Sequence, residues 1–189
     1  MKPLLVFAMK EESKDVFTGY EVLHTGIGKV NAAYALTARL ANNKPSIVIN
    51  LGTAGSRKHK GGTIVNCTQF IQRDMDVTLL GFEKWQTPFS SDPVIIEHGK
   101  KIDGLTQGIC GTGDNFDTSD NAIEFDAVDM EAYALALICA RENIPFLCLK
   151  YISDGADDSA GKDWNKALEI AANSLKGSLL TIPQKDMTS

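Results

Sequence analysis

Ser46-Ile47-Val48-Ile49-Asn50-Leu51 runs without a break into Gly52-Thr53-Ala54-Gly55. A short apolar run rich in β-branched residues reads as a buried strand, and the glycine cluster after it as the loop that ends that strand. Working outward toward the N-terminus, Val30, Ala33, Leu36, Thr37 and Leu40 recur at helical spacing, and Asn42-Asn43 with Pro45 stops that helix. Ahead of the helix, Tyr20 to His24 reads as a strand ending at the loop Thr25-Gly26-Ile27-Gly28. The chain opens with Pro3 to Ala8, a buried strand, and a short acidic helical turn from Lys10 to Val16. Strands that end in glycine loops and alternate with helices are the pattern of an α/β fold.

Toward the C-terminus, Thr63 to Gln72 and Val77 to Leu80 read as strands, and Gly81 to Pro93 as a long loop carrying Trp85, Pro88 and Phe89. Gly108 to Gly111 is a short strand leading into Thr112-Gly113-Asp114-Asn115-Phe116. Ala127-Val128 leads into a helix from Met130 to Arg141 that is almost wholly apolar and therefore expected to be buried. Pro145 to Ile152 is a central strand, and a last helix carries Trp164, Leu168, Ala171, Leu175 and Leu179 on one face. No repeat, low-complexity tract or linker interrupts this order. A single domain over 1–182 with a tail at 183–189 is expected.

Composition narrows the function classes. The chain has 189 residues, 43% of them hydrophobic and 23% charged, with a formal net charge of -5. That length suits one compact domain, and the balance argues against wholesale disorder. An acidic chain lacks the basic footprint of a nucleic-acid binder. The longest apolar run, Ala132 to Ala140, is too short to span a bilayer, and Leu4 to Phe7 is too short for a signal peptide. Cys67, Cys110, Cys139 and Cys148 stand singly, and none of the three His has metal-ligand spacing to a Cys. A reduced, cytoplasmic protein without metal or cofactor is expected.

Four acidic positions stand out by location. Glu11 and Glu12 follow the first strand, Glu131 opens the apolar helix, and Asp154 ends the central strand. Ligands of α/β sheets bind beyond the carboxyl ends of strands, so separate segments can aim carboxylates at one crevice. The structural alternative is helix-start electrostatics, since the macrodipole favours Glu11, Glu12, Asp129 and Glu131 where they stand. Asp154 is harder to explain that way, because a carboxylate at the mouth of a central strand is costly unless paired or used. Gly26-Ile27-Gly28-Lys29 is not a phosphate loop: Leu23 stands where a Walker A motif needs glycine, and Val30 where it needs Ser or Thr.

Each motif alone is weak, but the ordered set is specific. Ala8-Met9-Lys10-Glu11-Glu12, Thr25-Gly26-Ile27-Gly28-Lys29-Val30, Asn50-Leu51-Gly52-Thr53-Ala54-Gly55, Gly113-Asp114-Asn115-Phe116, Val128-Asp129-Met130-Glu131 and Ile152-Ser153-Asp154 resemble, in register, the motifs of the nucleoside phosphorylase superfamily. The nearest branch is the 5'-methylthioadenosine/S-adenosylhomocysteine nucleosidases. Asp74-Met75-Asp76-Val77 and Gly81-Phe82-Glu83 with Pro88 extend the likeness over essentially the whole chain.

The resemblance implies a single three-layer α/β domain with a mixed central β-sheet flanked by helices. It implies hydrolysis of a purine nucleoside, with Asp154 as the acid that protonates purine N7 and Glu12 as the base that activates water. Ser153 would orient Asp154, and Thr53, Ala54 and Gly55 would form the water and base side. Asp129, Met130 and Glu131 match the ribose contacts, with the Glu131 carboxylate taking the sugar hydroxyls. Phe116 matches the residue stacked on the base, the backbone of Asp117 would read the base edge, and Ile27 with Trp164 would close the apolar side. Phe82 and Pro88 match a lid that reaches across a homodimer to the neighbouring site.

Several positions depart from the family pattern. Thr53 stands for a Ser, Lys150 for an Arg of the water site, Trp164 for a Phe, and Asp117 for an aliphatic residue, and the stretch between Val16 and Tyr20 is short. Phosphorylases of the superfamily carry arginines near the first strand and before the Gly52 loop, where this chain has Glu12 and Asn50. A carboxylate there repels phosphate and suits water. Phosphorolysis by the same fold, or a binding module with weak catalysis, are the alternatives.

Overall fold

The computed structural model describes residues 2–115, 124–155 and 160–187; the side chains of residues 160–166, 169 and 184 are outside that description. Among the described residues, eight strands and four α-helices follow one another as β1 (Leu4–Phe7), α1 (Lys10–Ser13), β2 (Glu21–His24), α2 (Lys29–Leu40), β3 (Val48–Gly55), β4 (Ile64–Gln72), β5 (Ile95–Ile96), β6 (Thr106–Thr112), β7 (Ala127–Asp129), α3 (Ala132–Arg141), β8 (Phe146–Asp154) and α4 (Ala160–Thr181).

The sheet is mixed, in the order β2-β1-β3-β7-β6-β4-β5. Strand β8 lies parallel to β3 and antiparallel to β4, so β3, β7, β6, β4 and β8 close into a ring. An open sheet would leave β8 an edge; here both its edges are hydrogen-bonded and all nine residues are buried. That double pairing explains why its sequence is a nearly continuous apolar run.

Strand alternation divides the core between two faces. Leu4 and Val6 of β1 and Phe146, Cys148 and Ile152 of β8 face α2 and α3. Leu5 and Phe7, Ile49 and Leu51, and Leu147, Leu149 and Tyr151 face α4. Helix α2 buries Ala32, Leu36 and Leu40, four residues apart, and leaves Val30 and Tyr34 exposed. Leu175 and Leu179 of α4 are fully buried, each contributing roughly 2 kcal/mol of apolar transfer. The three layers are thus helices, sheet and helix, as the resemblance implies. The segment after α4 folds back, with Ile182 and Met187 against the α4-side core.

Two stretches differ from expectation. Val77 to Leu80 is no strand: Thr78–Leu80 is a 3-10 turn with Leu79 and Leu80 exposed. Asp76 Oδ1 accepts from the Thr78 N–H and hydroxyl, so a local turn replaces a ladder. The Gly52–Gly55 stretch is no loop either. It continues β3, paired residue by residue with β8.

Candidate active site

One cavity of about 270 Å³, the size class of a single small molecule, opens where β1, β3, β7, β8 and the turn after β6 converge. Its wall includes Ala8, Met9, Glu12, Ile27, Thr53, Ala54, Gly55, Arg73, Asn115, Val128, Asp129, Met130, Glu131, Ser153 and Asp154.

Glu12 is brought in by α1, a single turn whose start is set by the carboxylate itself. Glu12 Oε2 accepts from the N–H groups of Ala8 and Met9 at 3.2 and 3.3 Å, satisfying donors a helix start otherwise leaves orphaned. Its Oε1 accepts from both the backbone N–H and the hydroxyl of Thr53, each at 2.9 Å. Position 52 is glycine for a related reason: a Cβ there would lie 3.0 Å from Glu12 Oε1. Neighbouring Glu11 is exposed and off the cavity wall.

Asp154 owes its aim to a bulge. The β3–β8 register runs Ala54↔Ile152 and then Gly55↔Asp154, leaving Ser153 as the extra residue. Successive strand residues normally face opposite ways, yet Ser153 and Asp154 both line the cavity, because a bulge re-aims the side chains that follow it. Ser153 Oγ donates to Asp154 Oδ2 at 2.7 Å, and the Ser56 N–H donates to the Asp154 carbonyl.

Asp129 and Glu131 frame the start of α3. Asp129 accepts from the Ala132 N–H and from the Thr112 hydroxyl, and Lys150 Nζ lies 2.8 Å from its Oδ2. Both side chains of that pair are essentially inaccessible. Burial alone would raise the Asp129 carboxyl; the Lys150 ammonium and the two hydrogen bonds outweigh it and hold the group below the usual range. Burial alone would depress Lys150, but Asp129 and the smaller contributions of Cys148, Cys110 and Glu131 hold it well above its ordinary value. Glu131 has less support: burial first, and then Asp129, push its carboxyl up to about 8 against Lys150 and the Gly28 N–H.

Of the residues expected at the site, Glu12, Ile27, Thr53, Ala54, Gly55, Asp129, Met130, Glu131, Ser153 and Asp154 meet on this wall. Lys150 does not line it: even-numbered in β8, it points to the α3 side and lies beneath Asp129. Phe82 and Pro88 are off this wall, Phe82 packing edge-on to Phe89. Phe116 and Asp117, and the side chain of Trp164, lie outside the described residues.

Arg73 and Asn115 were not foreseen. Arg73 donates to Asn115 Oδ1 at 2.8 Å and to the carbonyls of Asn115 and Gly113, and a Cβ at Gly113 would lie 2.9 Å from its Cζ. It directly follows β4, so the rule that ligands sit at strand carboxyl ends, applied to β4 as well, finds it. Among the described residues no group of His, Cys, Asp or Glu is arranged to hold a metal ion.

A sequence model of the phosphorylase superfamily matches residues 12–182. The 5'-methylthioadenosine/S-adenosylhomocysteine nucleosidase of Haemophilus influenzae (strain PittEE) is 35% identical over 188 residues, covering 89% of this chain and 80% of that protein. The enzyme of the same name from Geobacillus kaustophilus is 34% identical, with 88% and 81% covered. The crystal structure of the Neisseria meningitidis nucleosidase in complex with methylthio-immucillin-A superposes with a TM-score of 0.78 at 27% identity, covering 95% of this chain and 97% of that one. The chain therefore belongs to the phosphorylase superfamily and, within it, to the 5'-methylthioadenosine/S-adenosylhomocysteine nucleosidases.

Proposed function

We propose that this protein hydrolyses the N-glycosidic bond of 5'-methylthioadenosine or S-adenosylhomocysteine, releasing adenine and the 5-substituted ribose. The observation that carries the reading is that the Glu12 and Asp154 carboxylates open onto one small-molecule cavity, each held by a hydroxyl partner, Thr53 and Ser153. Breaking the bond between C1' and N9 sends its electron pair to the purine and leaves an oxocarbenium-like sugar. Asp154 donates a proton to N7 of the leaving base. A water attacks C1' and gives its proton to Glu12. Glu131 takes the ribose hydroxyls, Met130 lies against the sugar face, and Ile27 covers the apolar side. Lys150, beneath Asp129, supports this floor electrostatically rather than touching substrate.

Phosphorolysis is the competing reaction. Glu12 faces the cavity where an incoming phosphate would meet its charge, which favours water. The test is product analysis on purified protein supplied with 5'-methylthioadenosine. Adenine should appear at the same rate with and without phosphate, together with free 5-methylthioribose. Strict dependence on phosphate, with a sugar 1-phosphate as product, would replace hydrolysis by phosphorolysis. Tight binding without turnover would leave only a binding module.

Two further features belong to this reading. The working form is a homodimer in which Phe82 and Pro88 of each subunit cover the neighbour's 5' group. The cytoplasm is the compartment, where four buried free cysteines stay reduced.

A further inference from the structure

Lys29 is not on the cavity wall, yet it joins three of the segments that build it. Its ammonium pairs with Asp74, which follows β4, and lies 3.8 Å from Asp114, which follows β6. Its backbone N–H donates to Asp114 Oδ1 at 2.8 Å, and the adjacent Gly28 N–H donates to Glu131 Oε1 at 2.9 Å. Asp74 Oδ2 accepts from the Asp114 N–H at 2.9 Å. Gly28 has a φ of 93°, and a Cβ there would come within 3.1 Å of Asp114 Oδ1. Position 28 therefore has no room for a side chain beside Asp114.

Two carboxylates converging on one spot repel each other unless a cation stands between them. With its side chain only 15% exposed, Lys29 supplies that cation partly shielded from solvent, where ion pairs retain more of their strength. Burial alone would raise the Asp74 carboxyl, and the Lys29 ammonium with the Asp114 N–H holds it below the usual range instead. Removing the Lys29 ammonium leaves Asp74 and Asp114 to repel each other, which loosens Asp114 and with it the anchor of the Gly28–Lys29 backbone.

We propose that Lys29 is a positioning residue for ribose recognition: by bridging Asp74 and Asp114 it fixes the Gly28 N–H against Glu131 Oε1, leaving Oε2 oriented toward the sugar hydroxyls. The inference rests on the assignment of Glu131 to the ribose. Free adenine carries no sugar for Glu131 to hold, so the Glu131 orientation that this bridge sets does not enter its affinity, whereas every 5'-substituted nucleoside depends on it.

The experiment is calorimetric titration of the purified protein with two ligands that are not turned over: adenine, and a 5'-methylthio C-nucleoside whose glycosidic bond is carbon–carbon. Lys29→Met should weaken the C-nucleoside about tenfold and leave adenine within about twofold. Lys29→Arg keeps the bridge and should retain most of the affinity, whereas Asp74→Asn, which breaks it from the other side, should match Lys29→Met. In a Glu131→Gln background, Lys29→Met should cost nothing more, because the group it positions is gone. Equal losses for both ligands, no loss for the C-nucleoside, failure of Lys29→Arg to retain affinity, or full additivity with Glu131→Gln would each overturn the proposal. If Glu131→Gln alone leaves C-nucleoside affinity intact, this inference fails while hydrolysis of 5'-methylthioadenosine stands or falls on its own product assay.

Discussion

Glu12 and Glu131 are both buried carboxyls on one wall, and their surroundings suit them to different work. Glu12 receives donors from Ala8, Met9 and Thr53, which fix both its oxygens. Glu12→Gln should therefore bind nucleoside but lose turnover by about 10² or more, with the exposed Glu11→Gln unaffected; steady-state kinetics on the pair checks it. Asp154→Asn should fall by a similar factor of about 10² with its melting temperature little changed, since the amide fits the same space but cannot give up the proton. Glu131 makes stability depend on pH. Its folded value of about 8 stands above the ordinary 4.5, so its contribution to stability is complete below pH 4.5 and is lost as pH rises through about 8. Asp129, held low, runs the opposite way: its contribution is present above its ordinary 3.8 and is lost as pH falls through its lower folded value. Melting temperatures of Glu131→Gln relative to the parent should accordingly rise between pH 4.5 and 8. A difference independent of pH would remove Glu131 as the source.

At the scale of elements, the site depends on strand ends, with Thr53, Asp129 and Asp154 in the last pairs of β3, β7 and β8. The β3 end is the tightest case, because the Gly52 backbone lies against Glu12 Oε1. Gly52→Ala needs no unusual backbone angle, so the fold should survive, but the added methyl must displace the carboxylate by a few tenths of an ångström. Turnover should fall about tenfold to a hundredfold with a melting temperature close to the parent's, because small misplacements of a catalytic group are costly. Kinetics beside thermal melts separate that outcome from simple unfolding. Most strands and helices were legible in the sequence because their apolar periods are clean, Val77 to Leu80 excepted, where the Asp76 side chain makes a local turn, and the resemblance carried over which carboxylates meet. Three further things were not legible, each for a physical reason. Gly52–Gly55 looks like a loop because glycine disfavours strands, yet β8 supplies a hydrogen-bonding partner along its length. Ring closure through β8 is a tertiary pairing that no local pattern records. Arg73 reaches the cavity only because β4 and β6 lie side by side, and Lys150 leaves it because even-numbered residues of β8 face α3.

For the molecule as a whole, the question is what covers its exposed apolar surface. Leu79 and Phe89 are almost fully solvent-exposed, at 101% and 94%, Leu80 stands at 73%, and Val30 and Tyr34 project from α2 at 77% each. Scattered apolar residues on a surface are ordinary, but Leu79, Leu80 and Phe89 flank one irregular segment at such exposure, which suits a contact face. That segment carries Phe82 and Pro88, and Trp85 anchors it by packing on Phe125, with ring centroids 5.4 Å apart. An anchored loop presenting apolar tips outward suits a partner more than a fold-back onto its own domain. In the homodimer proposed above, a second copy of the chain would cover it symmetrically, and Phe82 would meet the neighbour's cavity, where a 5'-alkylthio group needs an uncharged cover. Sedimentation of the purified protein should give a dimer, and Leu79→Glu, which buries a charge at that face, should dissociate it. Phe82→Ala should leave the dimer intact and weaken 5'-methylthioadenosine far more than adenosine, which has no alkylthio group to cover. A fully active monomer would defeat the shared lid. Equal losses for the two nucleosides would also defeat it, because a merely structural loop has no reason to distinguish them.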